Sequence, residues 1–152
     1  KKLWKEGFFL VAGIDEVGMG PWAGPVVAAA VILKDGRNEK KNRFILYIRD
    51  SKTLTAKARE NIFASILTSA VAWSVGMVSA SLVDRYGIRE AHRRAVLHAV
   101  RGLSVRPHMV LFDAFAYATS FPSRAVPQGD DRIRCIAAAS IVANDEPTTK
   151  LC

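Results

Sequence analysis

The chain has 152 residues, 50% of them apolar and 24% charged, which is one domain's worth and enough for a real hydrophobic core. No uncharged apolar run reaches the roughly eighteen residues that span a bilayer, and the start, Lys1-Lys2-Leu3-Trp4-Lys5-Glu6, is too short and too charged for a secretory signal, so a membrane association is not expected and a cytoplasmic location is. The formal charge of +8 favours a polyanionic partner through phosphate contacts, although charge alone suits a merely soluble basic protein equally well.

In chain order, the apolar run Phe8 to Ile14 predicts a first strand and Val26 to Leu33 a second. Asp35-Gly36 marks a turn in the polar stretch from Lys34 to Lys41. Thr55 reads as the N-cap of a helix from Ala56 to about Ser69, with Ile62, Phe63, Ile66 and Leu67 on its apolar face. Val71 to Val78 predicts a third strand. A short helix follows around Ser81 to Tyr86, then a longer one from about Arg89 to Leu103 that buries Ala91, Ala95, Val96, Ala99 and Val100. Met109 to Phe112 reads as a buried strand ending at Asp113. Ala116 to Gly129 reads as a loop, and Arg132 to Ala143 as a last helix stopped by Asn144-Asp145-Glu146-Pro147. Strands mixed with helices in this order predict an α/β domain, a mixed sheet flanked by helices.

Chemistry concentrates in Gly13-Ile14-Asp15-Glu16-Val17-Gly18-Met19-Gly20-Pro21-Trp22-Ala23-Gly24-Pro25. Adjacent carboxylates at the end of a buried strand are costly unless a cation neutralises them, and hard divalent ions such as Mg²⁺ want carboxylate oxygens. The glycines that follow let backbone N–H groups approach phosphate oxygens. As bare pattern, an exposed turn competes with this reading. His92, His98 and His108 match no metal spacing and read as surface or half-buried residues. Cys135 reads as a small core residue, and Trp4, Trp22 and Trp73 fit core or loop packing better than base stacking.

The motif resembles the opening of the ribonuclease HII family, G-I-D-E-x-G-R-G-P-x-A-G-P-V, with Met19 in place of the arginine. Further blocks match in order: Asp50-Ser51-Lys52-Thr53-Leu54-Thr55 with Arg59-Glu60, Trp73 to Ser79 with Asp84 and Ile88, Val110-Leu111-Phe112-Asp113, Gly129-Asp130, and Ile136 to Ala143. The sister family, ribonuclease HIII, usually differs where this chain has Pro21-Trp22-Ala23-Gly24-Pro25. The resemblance implies a single ribonuclease H-like domain over 1–152, and an endonuclease that cuts the RNA strand of RNA–DNA hybrids and incises 5′ of ribonucleotides embedded in a DNA duplex. It implies Asp15, Glu16 and Asp113 as catalytic ligands of Mg²⁺ or Mn²⁺ in a two-metal hydrolysis. Gly18, Met19, Gly20, Lys52 and Ser140 are the implied substrate contacts, the glycine backbone reading the 2′-hydroxyl. Lys52 also fits a solvated loop lysine, and Asp113 a turn or cap residue. The implied protein acts as a monomer in DNA replication and repair.

Agreement with the family is expected to stop after Ala143. The family's continuation carries a fourth carboxylate where Thr148 stands here, with Asn144 and Pro147 replacing a lysine and an arginine. Asp145 and Glu146 are the only nearby substitutes. Without an initial Met or the family's C-terminal segment, the chain reads as a truncated or fragmentary member. The alternative function is therefore a catalytically impaired fragment that only binds nucleic acid.

Overall fold

The computed structural model describes residues 5–17, 24–34 and 53–150, without the side chains of 131 and 146–150. Five strands form one sheet in the order β3-β2-β1-β4-β5: β1 (Val11–Val17), β2 (Val26–Ile32), β3 (Ala72–Val78), β4 (Met109–Asp113) and β5 (Ser123–Val126). The first three pair antiparallel, while β4 and β5 continue parallel to β1. The helices are α1 (Ala56–Ser69), α2 (Ala80–Tyr86), α3 (Ile88–Arg101), α4 (Gly129–Arg132) and α5 (Arg134–Lys150). The expected mixed sheet flanked by helices is observed.

The interior strand β2, Val-Val-Ala-Ala-Ala-Val-Ile, is buried at every position because both faces of the sheet are covered. On one side, Ala28, Ala30 and Ile32 meet Ala91, Ala95, Val96 and Ala99 of α3. On the other, Ala29 and Val31 meet Ile62, Phe63 and Ile66 of α1 and Ala138, Ile141 and Val142 of α5. Full burial of each Val or Ile side chain contributes about 1.5–3 kcal/mol. Small residues bring the helices close. A Cβ at Gly13 would lie 2.2 Å from the carbonyl carbon of Cys135, and one at Gly76 would lie 2.0 Å from the carbonyl oxygen of Ala95. Backbone therefore touches backbone on both faces, and only glycine fits. Cys135 packs beside Met109, Leu111 and Ile136, as a small core residue should.

Helix α1 has the expected bounds, and the Thr55 hydroxyl oxygen accepts the Ala58 N–H at 3.2 Å. Three expectations are corrected. First, β1 runs from Val11 to Val17 instead of from Phe8 to Ile14, so Asp15 and Glu16 lie within the strand. Pairing with β2 carries the strand past its apolar run: Asp15 stands opposite Ala29 and Glu16 opposite Ala28. Second, Ser123–Val126 is a strand inside the expected loop. As an edge strand it shows no apolar alternation, and its hydrogen bonds with β4 define it. Third, α5 runs through Pro147 to Lys150 instead of stopping at Asn144–Pro147. A proline removes one backbone donor and crowds the preceding turn, which penalises a helix without dictating its end when the earlier turns are packed as firmly as Ile136 to Ala143.

Candidate metal centre

Side chains alternate along a strand, and this separates the adjacent carboxylates of β1. Ala12 and Ile14 face α3, and Glu16 shares their side. Gly13 faces α5, and Asp15 shares that side, bonded to the Ser140 side chain. Strand β4 has the same pattern, with Val110 and Phe112 toward α3 and Met109 and Leu111 on the other side, where Asp113 follows them. Ile14 is the register partner of Phe112, so the next residues, Asp15 and Asp113, stand side by side at the carboxyl ends of two parallel strands.

A third carboxylate joins them from α4. Gln128, left-handed at φ 53°, turns the chain into this short helix, and the Gly129 N–H donates to Asp113 Oδ1 at 2.8 Å. Asp15, Asp113 and Asp130 each present an oxygen, and these three atoms lie within 4.8 Å of one another. The Glu16 N–H donates to Asp15 Oδ1 at 2.8 Å. Burial pushes the Asp15 carboxyl up to about 7, helped by the nearby charges of Asp113 and Asp130 and opposed by the bonds from Ser140 and the Glu16 N–H.

The Glu16 carboxylate is not one of the three. Its Oε1 accepts from the Tyr117 hydroxyl at 2.9 Å and lies 3.5 Å from His92 Nδ1 on α3. Burial raises its pKa, the Tyr117 bond and His92 lower it, and the charge of Asp113 raises it further.

Sequence reasoning thus named Asp15, Glu16 and Asp113, and two of these meet directly. Asp130 has no role legible in the sequence, because a lone Asp after a loop carries no spacing signal. His92 reads from sequence as a surface or half-buried residue matching no metal spacing, and Tyr117 falls in the predicted loop, whereas the structure places both against Glu16. Gly18, Met19, Gly20 and Lys52 lie outside the described residues. Ser140 belongs to the site through Asp15. The place reserved for a carboxylate at Thr148 is not needed for the triangle, since Asp130 supplies its third member. Asp145 is no substitute: it lies in the field of Arg59 and Glu60, toward α1.

The donor set suits a hard cation. Three carboxylates gathered this closely repel one another unless protonated or neutralised, and oxygen-only ligands fit Mg²⁺ or Mn²⁺. Among the described residues, no helix is long and apolar enough to cross a membrane.

Comparison with known proteins agrees. The chain is 46% identical over 143 residues to ribonuclease HII of Lactobacillus gasseri, a match covering 94% of this chain and 54% of that protein. It is 46% identical over 144 residues to ribonuclease HII of Acidothermus cellulolyticus, covering 94% and 46%. The chain therefore spans about half the length of the curated relatives it matches. The crystal structure of ribonuclease H2 from Pyrococcus horikoshii superposes with a TM-score of 0.77 at 26% identity, over 93% of this chain and 74% of that one. The model of the ribonuclease HII family matches residues 12–151, past the Ala143 limit expected from sequence. With that match on the same strands and helices that assemble the carboxylate triangle, the chain belongs to the ribonuclease HII family.

Proposed function

We propose that the chain provides the catalytic carboxylates of an endonuclease that hydrolyses the RNA strand of RNA–DNA hybrids and incises 5′ of single ribonucleotides in duplex DNA. The observation that carries this reading is the meeting of Asp15, Asp113 and Asp130 oxygens within 4.8 Å at the ends of parallel strands. These three residues would hold Mg²⁺ or Mn²⁺, with Glu16 beside them. A bound divalent ion, or a pair of them, supplies an activated water and stabilises charge on the phosphate and the leaving 3′-oxygen.

The protein's own groups do the holding. The Ser140 side chain and the Glu16 N–H orient Asp15, and the Gly129 N–H orients Asp113. The net charge of +8 favours attraction to the phosphate backbone, and Gly18, Met19, Gly20 and Lys52, with Ser140, are the proposed substrate contacts. We further place the protein in the cytoplasm as a monomer serving DNA replication and repair. The alternative, a catalytically impaired fragment that only binds nucleic acid, rests on the changes at Met19 and Thr148 and on the family's missing C-terminal segment, and Asp130 weakens only the argument from position 148.

A nicking assay tests the reading, using a duplex with one embedded ribonucleotide and a continuous hybrid, each with Mn²⁺, Mg²⁺ or EDTA. Cleavage is expected with metal and none with EDTA or in Asp15→Asn protein. Folded protein that cuts neither substrate with either metal would refute it, as would cutting that survives EDTA.

A further inference from the structure

Glu16 is held by a hydrogen bond from Tyr117, with His92 close beside it and not hydrogen-bonded, on the side of the sheet opposite the aspartate triangle, and both neighbours have firm mounts. The Tyr117 ring packs edge-on against Phe112, with centroids 5.7 Å apart and planes at 69°. Phe112 is fully buried and directly precedes Asp113. His92 stands on α3 immediately after Ala91 and three residues before Ala95, both fully buried against the sheet. The Tyr117 hydroxyl donates to Glu16 Oε1 at 2.9 Å, and His92 Nδ1 lies 3.5 Å from the same oxygen. The same residue's N–H meets Asp15 Oδ1 at 2.8 Å. Residue 16 is thus the mechanical link between the α3 face and the triangle.

We propose that Tyr117 and His92 are positioning residues that act through Glu16, fixing its carboxylate beside the metal centre and its N–H against Asp15. A hydrogen bond to a charged oxygen is roughly twice as strong as one between neutral groups, and partners that orient ligands typically tune metal affinity by about 10–100-fold. The grip also restrains the carboxylate against the repulsion of Asp113, which acts on it directly. Neither residue is one of the three aspartates, and Tyr117→Phe removes the hydroxyl while keeping the ring against Phe112, so the loss of that hydrogen bond acts through residue 16. This inference rests on the metal-centre reading above.

The test measures Mn²⁺ affinity of the nucleic-acid-free protein by electron paramagnetic resonance of the unbound ion, beside kcat and KM on the single-ribonucleotide duplex. Tyr117→Phe and His92→Gln should each weaken Mn²⁺ binding, Tyr117→Phe by about tenfold, and lower kcat with little change in KM. In a Glu16→Ala background, neither substitution should have any further effect. Losses that persist undiminished in that background, or unchanged affinity in both single variants, would overturn the inference. Asp15→Asn separates the two claims. If it leaves Mn²⁺ affinity intact, the metal-centre reading itself fails. If it abolishes binding while Tyr117→Phe and His92→Gln do nothing, only the positioning role fails. Should Tyr117→Phe not fold, His92→Gln carries the same comparison.

Discussion

Burial raises the Asp15 carboxyl, and its titration tests the proposed metal site. In the unfolded chain it ionises near 3.8, whereas the folded, metal-free protein holds the proton up to about 7. Between those values the folded state binds more protons than the unfolded one, so metal-free stability falls as pH rises across the window. We expect the thermal midpoint in EDTA to drop from pH 4.5 to 7.5, and Mn²⁺ to restore it at the higher pH. Asp15→Asn should flatten that slope and raise the midpoint at pH 7.5 while removing activity; a slope parallel to the parent would contradict the assignment. Asp130→Asn should lower cleavage by about a hundredfold or more, since small misplacements of a reacting group cost that much. Thr148→Asp should leave the rate unchanged, and activity assays at equal folded concentration compare the two. Ala114 sits at φ 65° directly after Asp113, where the Phe115 N–H folds back to the Asp113 carbonyl at 2.8 Å. A left-handed alanine costs about 1–2 kcal/mol, partly offset by the entropy that glycine loses. Ala114→Gly should therefore raise the melting temperature by a degree or more, read by circular dichroism.

Among the elements, α5 matters most because it covers β1 and carries Ser140 to Asp15. Its closeness depends on Gly13, where a methyl group would collide with the backbone of Cys135 and Ile136. Neither side can yield by rotating a side chain, so Gly13→Ala must displace helix or strand. Overpacking of this kind costs typically 1–3 kcal/mol, occasionally more. The expected result is a lower urea midpoint together with weaker Mn²⁺ binding, because the displaced helix takes Ser140 with it. A variant that lost stability but kept its metal affinity would show that α5 positions nothing at the site. The parallel pairing of β1 with β4 has the same importance, since it alone brings Asp113 next to Asp15.

For the whole molecule, the excess of 22 Lys and Arg over 14 Asp and Glu bears on association with a polyanion rather than on the fold. Binding to an RNA–DNA duplex should release counterions and weaken with salt. If about three phosphates are neutralised, affinity should fall some tens-fold between roughly 50 and 200 mM salt. Fluorescence anisotropy of a labelled hybrid, in Ca²⁺ or with Asp15→Asn protein to prevent cutting, would measure this. A flat profile would argue against docking through the basic surface.

Much of this architecture is legible from residue order. The helical period marks Ile62, Phe63 and Ile66 on α1 and Ala91, Ala95, Val96 and Ala99 on α3, and the apolar runs mark β2 and β4, because local burial patterns follow directly from backbone periodicity. The adjacency of Asp15 and Glu16, and the strand that ends at Asp113, are equally plain. Tertiary structure decided where these carboxylates go. Pairing with β2 extended β1 through both of them, and the two-residue period then sent Asp15 toward α5 and Glu16 toward Tyr117 and His92. Asp130 had no signal of its own: it reaches Asp15 only because β1 and β4 pair in parallel and the four-residue helix after β5 turns back over their ends. Sequence by itself determines which side chains can ligate a cation and which segments fold, since those follow from chemistry and local period. Which three carboxylates meet depends on the register of strands far apart in the chain and on loop closure after them, and only the folded chain settles that.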